Sequence, residues 1–290
     1  MINYSESELI LNPDGSIYHL HLLPEQIAND IILVGDPNRV AEISKYFDSI
    51  EHKISNREFV THTGYLKNKR LTVLGTGIGT DNIDIVVNEL DALANIDLIN
   101  RTNKSNFTSL NLIRLGTSGS LQPDIQVDSF VASKFGLGFD GLLNFYAKGS
   151  EFAEKEMADH FIEECEIPSD LARPYIIKSS TVLMNKLAFD LHQGITATAS
   201  GFYGPQGRTL RLSPRIADLN ERLQSFRFGA ERITNFEMET SALYGLGKML
   251  NHNTLTICAI IANRPTKTFS KNYHKTIDNL IQTTLTRLVE

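Results

Sequence analysis

The chain has 290 residues, 41% hydrophobic and 21% charged, enough apolar material for a sizeable core and too ordinary a balance for wholesale disorder. Its formal net charge of −6 lacks the basic excess of a nucleic-acid binder, and no run approaches the roughly eighteen consecutive apolar residues of a membrane span. Its two cysteines, Cys165 and Cys258, are too few for a disulfide framework or a cysteine-rich zinc site and read as reduced core residues.

Residues 1–11 carry Ser5, Glu6, Ser7 and Glu8 and no long apolar stretch, so they do not read as a signal peptide; a cytoplasmic location is the expectation. Ile31-Ile32-Leu33-Val34, closed by Gly35, predicts a buried strand. Residues 71–74 before Gly75 repeat the pattern. Gly75-Thr76-Gly77-Ile78-Gly79-Thr80 then predicts a tight strand-to-helix turn. Threonine stands where a dinucleotide fingerprint needs its third glycine, and no Gly-Lys-Ser/Thr follows for a P-loop. Apolar residues at 83, 85, 86, 87, 90 and 93 predict a helix over 83–93. Residues 100–109 are polar and aperiodic and predict a surface loop. Further strands are predicted at 110–115, 129–133 and 255–262, and further helices at 151–165, 240–250 and 273–288. This alternation predicts one α/β domain spanning 1–290, with helices packed on a largely parallel or mixed sheet. Ligands of such folds gather beyond the carboxyl ends of strands.

Several turns carry chemistry. In Gly35-Asp36-Pro37-Asn38-Arg39 the glycine admits a ligand close to the backbone, and Arg39 can reach back over the turn. Arg114-Leu115-Gly116-Thr117-Ser118-Gly119, read as a turn after a strand, offers a guanidinium, two hydroxyls and glycine-freed amides, a set suited to a tetrahedral oxyanion. Together these two segments favour an anion site over plain turn chemistry. Asn235-Phe236-Glu237-Met238-Glu239 precedes a helix. Its carboxylates either cap the first turn, where the helix dipole contributes about 0.3–1 kcal/mol, or Glu239 accepts hydrogen bonds from a vicinal diol. Gln206-Gly207-Arg208 follows Phe202-Tyr203-Gly204-Pro205. The amide can match an imide edge, the arginine a carbonyl oxygen, and the aromatics a flat ring; a solvated turn is the alternative.

In this order the segments resemble the nucleoside phosphorylase family: Gly-Asp-Pro-x-Arg at 35–39, Thr-Gly-Ile-Gly at 76–79 with Glu89-Leu90 in the next helix, Arg-x-Gly-Thr-Ser-Gly at 114–119 and Glu-Met-Glu at 237–239. The match covers about 16–264, nearly the whole chain. Phe202-Tyr203-x-x-Gln206-x-Arg208 resembles the uracil-reading loop of the uridine phosphorylase branch. Ile261-Ala262-Asn263-Arg264 stands where purine-cleaving hexameric relatives carry Ser-Asp, whose aspartate protonates the base.

The resemblance implies a mixed, partly barrel-like sheet flanked by helices. The implied reaction is phosphorolysis of a pyrimidine ribonucleoside, uridine and phosphate giving uracil and ribose 1-phosphate, with no metal or organic cofactor. Gly35, Arg39, Arg114 and Thr117 would bind phosphate, joined by Arg57 from a neighbouring subunit. Met238 and Glu239 would hold the ribose, supported by Glu237, with a neighbour's His19 at the 5′-hydroxyl. Phe202, Gln206, Arg208, Ile261 and Ala262 would hold the base, with Arg264 close by. Arg208, Gln206 and Arg114 would carry catalysis. The active site would be completed across the interface of a homodimer, alone or within a hexamer built as a trimer of dimers. The implied partners are small molecules, not nucleic acid or membrane.

The chain also departs from the family pattern. Asp128-Ser129 replaces the usual Gly-Asp, and 100–109 looks like an insertion. Some bacterial members hold a monovalent cation through a glutamate, an isoleucine carbonyl and a serine; Glu58 and Ile78 match, and Asn82 takes the serine's place. Gly204-Pro205 reverses the Pro-Gly order of bacterial uridine enzymes. The alternatives are therefore thymidine, deoxyuridine or a purine nucleoside as substrate, or a non-catalytic nucleoside-binding protein on the same fold.

Overall fold

The computed structural model describes residues 3–290; Met1 and Ile2, the start of the segment read above for a signal peptide, lie outside the described residues. The elements run β1 (Asp30–Val34), α1 (Asn38–Ser44), β2 (Ser49–Asn56), β3 (Phe59–Leu66), β4 (Lys69–Gly75), α2 (Thr80–Asn95), β5 (Ile96–Asp97), β6 (Thr102–Asn103), β7 (Asn111–Ser120) and β8 (Phe130–Gly138). They continue with α3 (Lys155–Glu164), β9 (Tyr175–Lys178), α4 (Thr181–Leu187), β10 (His192–Thr198), α5 (Leu219–Ser225), β11 (Arg227–Phe228), β12 (Glu231–Glu237), α6 (Thr240–Met249), β13 (Asn253–Asn263), β14 (Thr268–Phe269) and α7 (Tyr273–Val289).

β7, β13, β8, β10 and β12 pair in a ring, which β12 closes by returning antiparallel to β7 at Asn235↔Ser120 and Phe236↔Gly119. From β7 the sheet continues as a wing through β1 and β4 in parallel, then β3 and β2 antiparallel. The expected mixed, partly barrel-like sheet with flanking helices is the architecture found. β1 reads as a continuous apolar run because helices cover both faces of the wing. Ile31 and Leu33 pack with the stripe Ile83, Val86, Val87 and Leu90 of α2, whereas Ile32 and Val34 pack with Val40 and Ile43 of α1 and Ile281 of α7. The period-2 alternation of a strand assigns neighbours to opposite cores. Both cysteines are free and buried. Among the described residues no helix is long and apolar enough to cross a membrane.

Three expectations need correction. Gly116–Gly119 is not a turn. The strand expected at 110–115 runs on to Ser120, and Gly116, Thr117 and Ser118 lie in register with Cys258, Ala259 and Ile260 of β13. Ladder pairing overrides the local glycine signal. Residues 100–109 are not wholly loop: Thr102 and Asn103 pair with Asp97 and Ile96, and Lys104 Nζ donates to the Leu93 and Ala94 carbonyls at the end of α2. The helix expected over 151–165 starts only at Lys155, burying Met157, Ala158 and Phe161.

β10 and β12 show only weak apolar patterns: Ile195 and Ala197 alternate with Thr196 and Thr198 over a short run, and in β12 the apolar Ile233 and Phe236 do not alternate. Ser133, Thr196, Asn235 and Ser118 form a buried hydrogen-bond chain through the barrel, with links of 2.5, 2.9 and 2.9 Å. A buried chain of hydrogen bonds of this kind ties the barrel strands together.

Candidate active site

A cleft of about 760 Å³ opens where β1, β7, β12 and β13 meet the turn after β4. Arg114 lies at its floor, 4% exposed. Its side chain fits because residue 116 is glycine: a Cβ there would stand 2.3 Å from Arg114 Nη1. Arg114 Nη2 donates to Glu239 Oε2, and Nη1 lies 3.1 Å from Glu237 Oε2. Glu239 Oε1 also accepts from the Gly79 amide at 2.9 Å. Glu237 accepts from Thr198 Oγ1 at 2.7 Å and from the amides of Glu239 and Thr240 at the start of α6. Glu237 therefore caps the helix, as the capping reading expects, and Glu239 lines the cleft wall.

Burial works to lower the Arg114 pKa, but Glu239 and Glu237 outweigh it and hold the guanidinium above its ordinary value. Burial pushes the Glu239 carboxyl up, to about 7, against the pull of Arg114, and Glu237 adds to the rise. Arg114 stays cationic.

Arg39, in the first turn of α1, lines the same cleft with Gly35 and Thr117. Burial pushes its guanidinium below the usual arginine range, with Asp36 and Glu42 pulling the other way. The Nε atoms of Arg39 and Arg114 are both buried without a hydrogen-bond partner among the described residues. A buried donor left unpaired costs about 1–3 kcal/mol. Both guanidiniums border the cleft.

Opposite stands the loop around Gln206, itself only 3% exposed. Gly207 adopts φ +67°, and a Cβ there would collide with Asn220 Nδ2 at 2.6 Å, so the turn needs glycine. Arg208 Nη1 and Arg264 Nη2 both donate to Gln206 Oε1, at 2.5 and 2.9 Å. Arg264 also donates to the Gln206 carbonyl at 2.5 Å and to Asn220 Oδ1 of α5 at 2.8 Å. The Arg208 guanidinium lies 3.6 Å from the Phe202 ring centroid, a cation–π stack. Two cations on one oxygen fix the amide orientation and leave the Gln206 NH₂ group turned away from them. Burial lowers both guanidiniums, Arg264 to about 10, where Arg208 adds repulsion.

The cleft thus brings together Gly35, Arg39, Arg114, Thr117, Glu237, Met238, Glu239, Phe202, Gln206, Arg208, Ile261 and Ala262. Arg264 reaches it through Gln206. Glu58, Ile78 and Asn82 also line it, and among the described residues no group of three or more His, Cys, Asp or Glu side chains is placed to hold a metal. His19 and Arg57 do not line the cleft of their own chain. His19 Nδ1 lies 2.6 Å from Glu89 Oε1, which orients the ring and leaves Nε2 free of that contact. Arg57, at φ +53° in the β2–β3 turn, donates to Tyr18 Oη at 3.2 Å. Asn56 joins the two by donating to the His19 carbonyl at 2.8 Å. Sequence reasoning missed Phe236, Phe269, Thr198 and Asn220. Phe269 lies on the two-residue strand β14, too short to show a pattern, and Thr198 reaches Glu237 across a separation of 39 residues.

A closed barrel whose cleft is bordered by two arginines, a buried carboxylate and an amide held by two guanidiniums is the frame of an α/β enzyme. The chain belongs to the phosphorylase superfamily, whose sequence profile matches residues 30–290. It is 29% identical over 266 residues to a uridine phosphorylase of Thermococcus kodakarensis (89% of this chain, 81% of that one). It is 28% identical over 271 residues to a DeoD-type purine nucleoside phosphorylase of a Thermoanaerobacter species (92% and 97%). The fold superposes with a TM-score of 0.88 on a Trypanosoma brucei nucleoside phosphorylase described as showing uridine phosphorylase activity, at 28% identity, covering 97% of this chain and 99% of that one.

Proposed function

We propose that the protein is a nucleoside phosphorylase that cleaves uridine with inorganic phosphate to uracil and ribose 1-phosphate, in the salvage of pyrimidine nucleosides. Relatives named for uridine and for purine cleavage both match the chain, so the base rests on the site's own chemistry. The observation that carries the pyrimidine reading is the state of Asn263. Its Nδ2 donates to the Gln122 and Ile125 carbonyls at 2.9 and 2.8 Å, and its Oδ1 accepts from the Thr266 amide at 3.0 Å. It is committed to structure and offers no proton to a departing purine, while Arg264 turns to Gln206 instead. What faces the base is an amide NH₂ and a guanidinium, a set for carbonyl oxygens.

In this reading phosphate sits on Gly35, Thr117, Arg39 and Arg114. The ribose diol is held by Glu239 beside Met238, with Glu237 keeping Glu239 in place. The C1′–N bond stretches first, placing negative charge on the pyrimidine, which Arg208 and Gln206 stabilise with Arg264 behind them. The ring is flanked by Phe202, Ile261 and Ala262. Phosphate attacks the oxocarbenium-like carbon from the other face, and its proximity supplies much of the rate. Phosphate is a co-substrate, and neither an organic cofactor nor a protein nucleophile takes part. An incubation panel of uridine, thymidine, deoxyuridine and inosine, with and without phosphate, tests this. Release of uracil that requires phosphate is expected; base release without phosphate, or binding with no release, overturns it.

Arg57 and His19 belong, in this reading, to the site of a second copy. They share one surface through Asn56, and each is already oriented, by Tyr18 and by Glu89, without serving the cleft of its own chain. Co-expression of Arg57→Ala with Arg208→Ala checks the arrangement. Hybrid dimers gain one intact site, so activity well above either variant alone is expected; no recovery in co-purified hybrids rules out the sharing.

A further inference from the structure

The connection between β7 and β8 ends on Asp128, a non-glycine residue at φ +68°. Glycine adopts this conformation freely and aspartate is among the few other side chains that tolerate it. Its amide donates to the Ile260 carbonyl at 2.8 Å. Its Oδ1 accepts two hydroxyls, Ser270 Oγ and Thr276 Oγ1, each at 2.5 Å. Ser270 closes the strap that leaves β13 at Asn263, and Thr276 lies in the first turns of α7. The Ser270 amide donates to the Ile261 carbonyl at 2.8 Å, and Ser270 Oγ accepts from the Asn272 amide at 3.2 Å. The other end of the strap is tied by Asn263, whose amide group bonds carbonyls of the same connection. One segment, 122–128, therefore holds both ends.

Between these ties the strap presents two groups to the cleft. Arg264 holds Gln206, and Phe269, paired with Ala262 across β13 and β14, stands at the cleft wall with 61% of its surface exposed. An aromatic this exposed, with an edge-to-face contact to the Tyr273 ring at 6.3 Å, depends largely on the backbone ties for its position. We propose that Asp128 is a positioning residue that latches the strap, making Phe269 a fixed wall and Arg264 a fixed support at the base end of the cleft. The carboxylate thereby sharpens selection of the nucleoside without touching it. This role rests on the reading of the cleft as a nucleoside site, and phosphate binding, which draws on residues outside the strap, is independent of the latch.

The test uses the full-length protein. Asp128→Gly removes the acceptor while relaxing the left-handed turn, so it should fold. Asp128→Asn keeps an oxygen acceptor and tolerates the same backbone. Ser270→Ala deletes one donor as a second route to the same loss. Hydrogen–deuterium exchange at the amides of 268–270 should quicken in Asp128→Gly and Ser270→Ala and stay near wild type in Asp128→Asn. In steady-state kinetics Asp128→Gly should raise KM for uridine about three- to tenfold, the scale of one ordered aromatic contact, with KM for phosphate unchanged and Asp128→Asn restoring the uridine value. Unchanged strap exchange in Asp128→Gly and Ser270→Ala overturns the latch. A looser strap with an unchanged uridine KM, or with both KM values rising together, overturns its role in selection. If the wild-type protein turns over no nucleoside, the functional reading fails and the selection role with it, while the exchange measurement still decides the latch.

Discussion

Arg114→Ala is expected to lower phosphorolysis by roughly 10³-fold and to destabilise the fold. Loss of one preorganised group that meets developing charge costs about 10²–10³ in rate, and here the same side chain is also a phosphate ligand. The stability cost has a separate origin. Arg114 is buried between two buried carboxylates, and breaking such a cluster from one side leaves uncompensated charge, worth about 3–5 kcal/mol. Adding Glu239→Gln to Arg114→Ala should recover part of that stability by removing one stranded carboxylate, without recovering activity. Arg114→Lys should not rescue turnover, because a compact ammonium lacks the planar fork with which the guanidinium spans Glu237 and Glu239. Thermal melts and kcat/KM for phosphate check both halves. Turnover within tenfold of wild type in Arg114→Ala would remove Arg114 from the reaction.

Arg208→Ala should cut uridine turnover by roughly 10²-fold, as expected for one donor that stabilises the departing base anion. The structure enlarges what that substitution removes. Arg208 also stacks on Phe202 and is one of the two cations that fix the Gln206 amide. The loss should therefore fall on kcat and on uridine KM together, leaving phosphate KM in place. Arg264 remains to hold Gln206, so the amide keeps a partner and the variant should fold normally. Near-normal uridine turnover would sink the assignment of the 202–208 loop to the base.

The legible part of the molecule was the part where chemistry and local pattern coincide. The α2 stripe at 83, 86, 87 and 90 announced its helix because a single face meets a single core. The β1 run announced a strand covered on both faces. Gly35 with Arg39, and Gly75 to Gly79, stood out as turns because glycine has few other reasons to cluster there. β10 and β12 were missed: in β10 Ile195 and Ala197 alternate with Thr196 and Thr198 over too few residues to stand out, and in β12 Ile233 and Phe236 do not alternate. Gly116 to Gly119 was misread for the complementary reason: glycine looks like a turn unless the neighbouring strand is known, and here it makes room for the Arg114 side chain.

The sequence by itself determined the inventory. The arginines, the Glu-Met-Glu triplet, the glutamine-bearing loop and their order along the chain carry the family resemblance, because motif order survives without coordinates. Only the tertiary structure decided which atoms are spent and which are free. It commits Asn263 to the backbone, gives Glu237 to the α6 cap, turns two guanidiniums onto the Gln206 oxygen and keeps His19 and Arg57 out of their own cleft. Those outcomes depend on hydrogen bonds between residues such as Arg114 and Glu239, 125 positions apart. A local pattern registers the donor and the acceptor separately; barrel closure is what puts them within reach of each other.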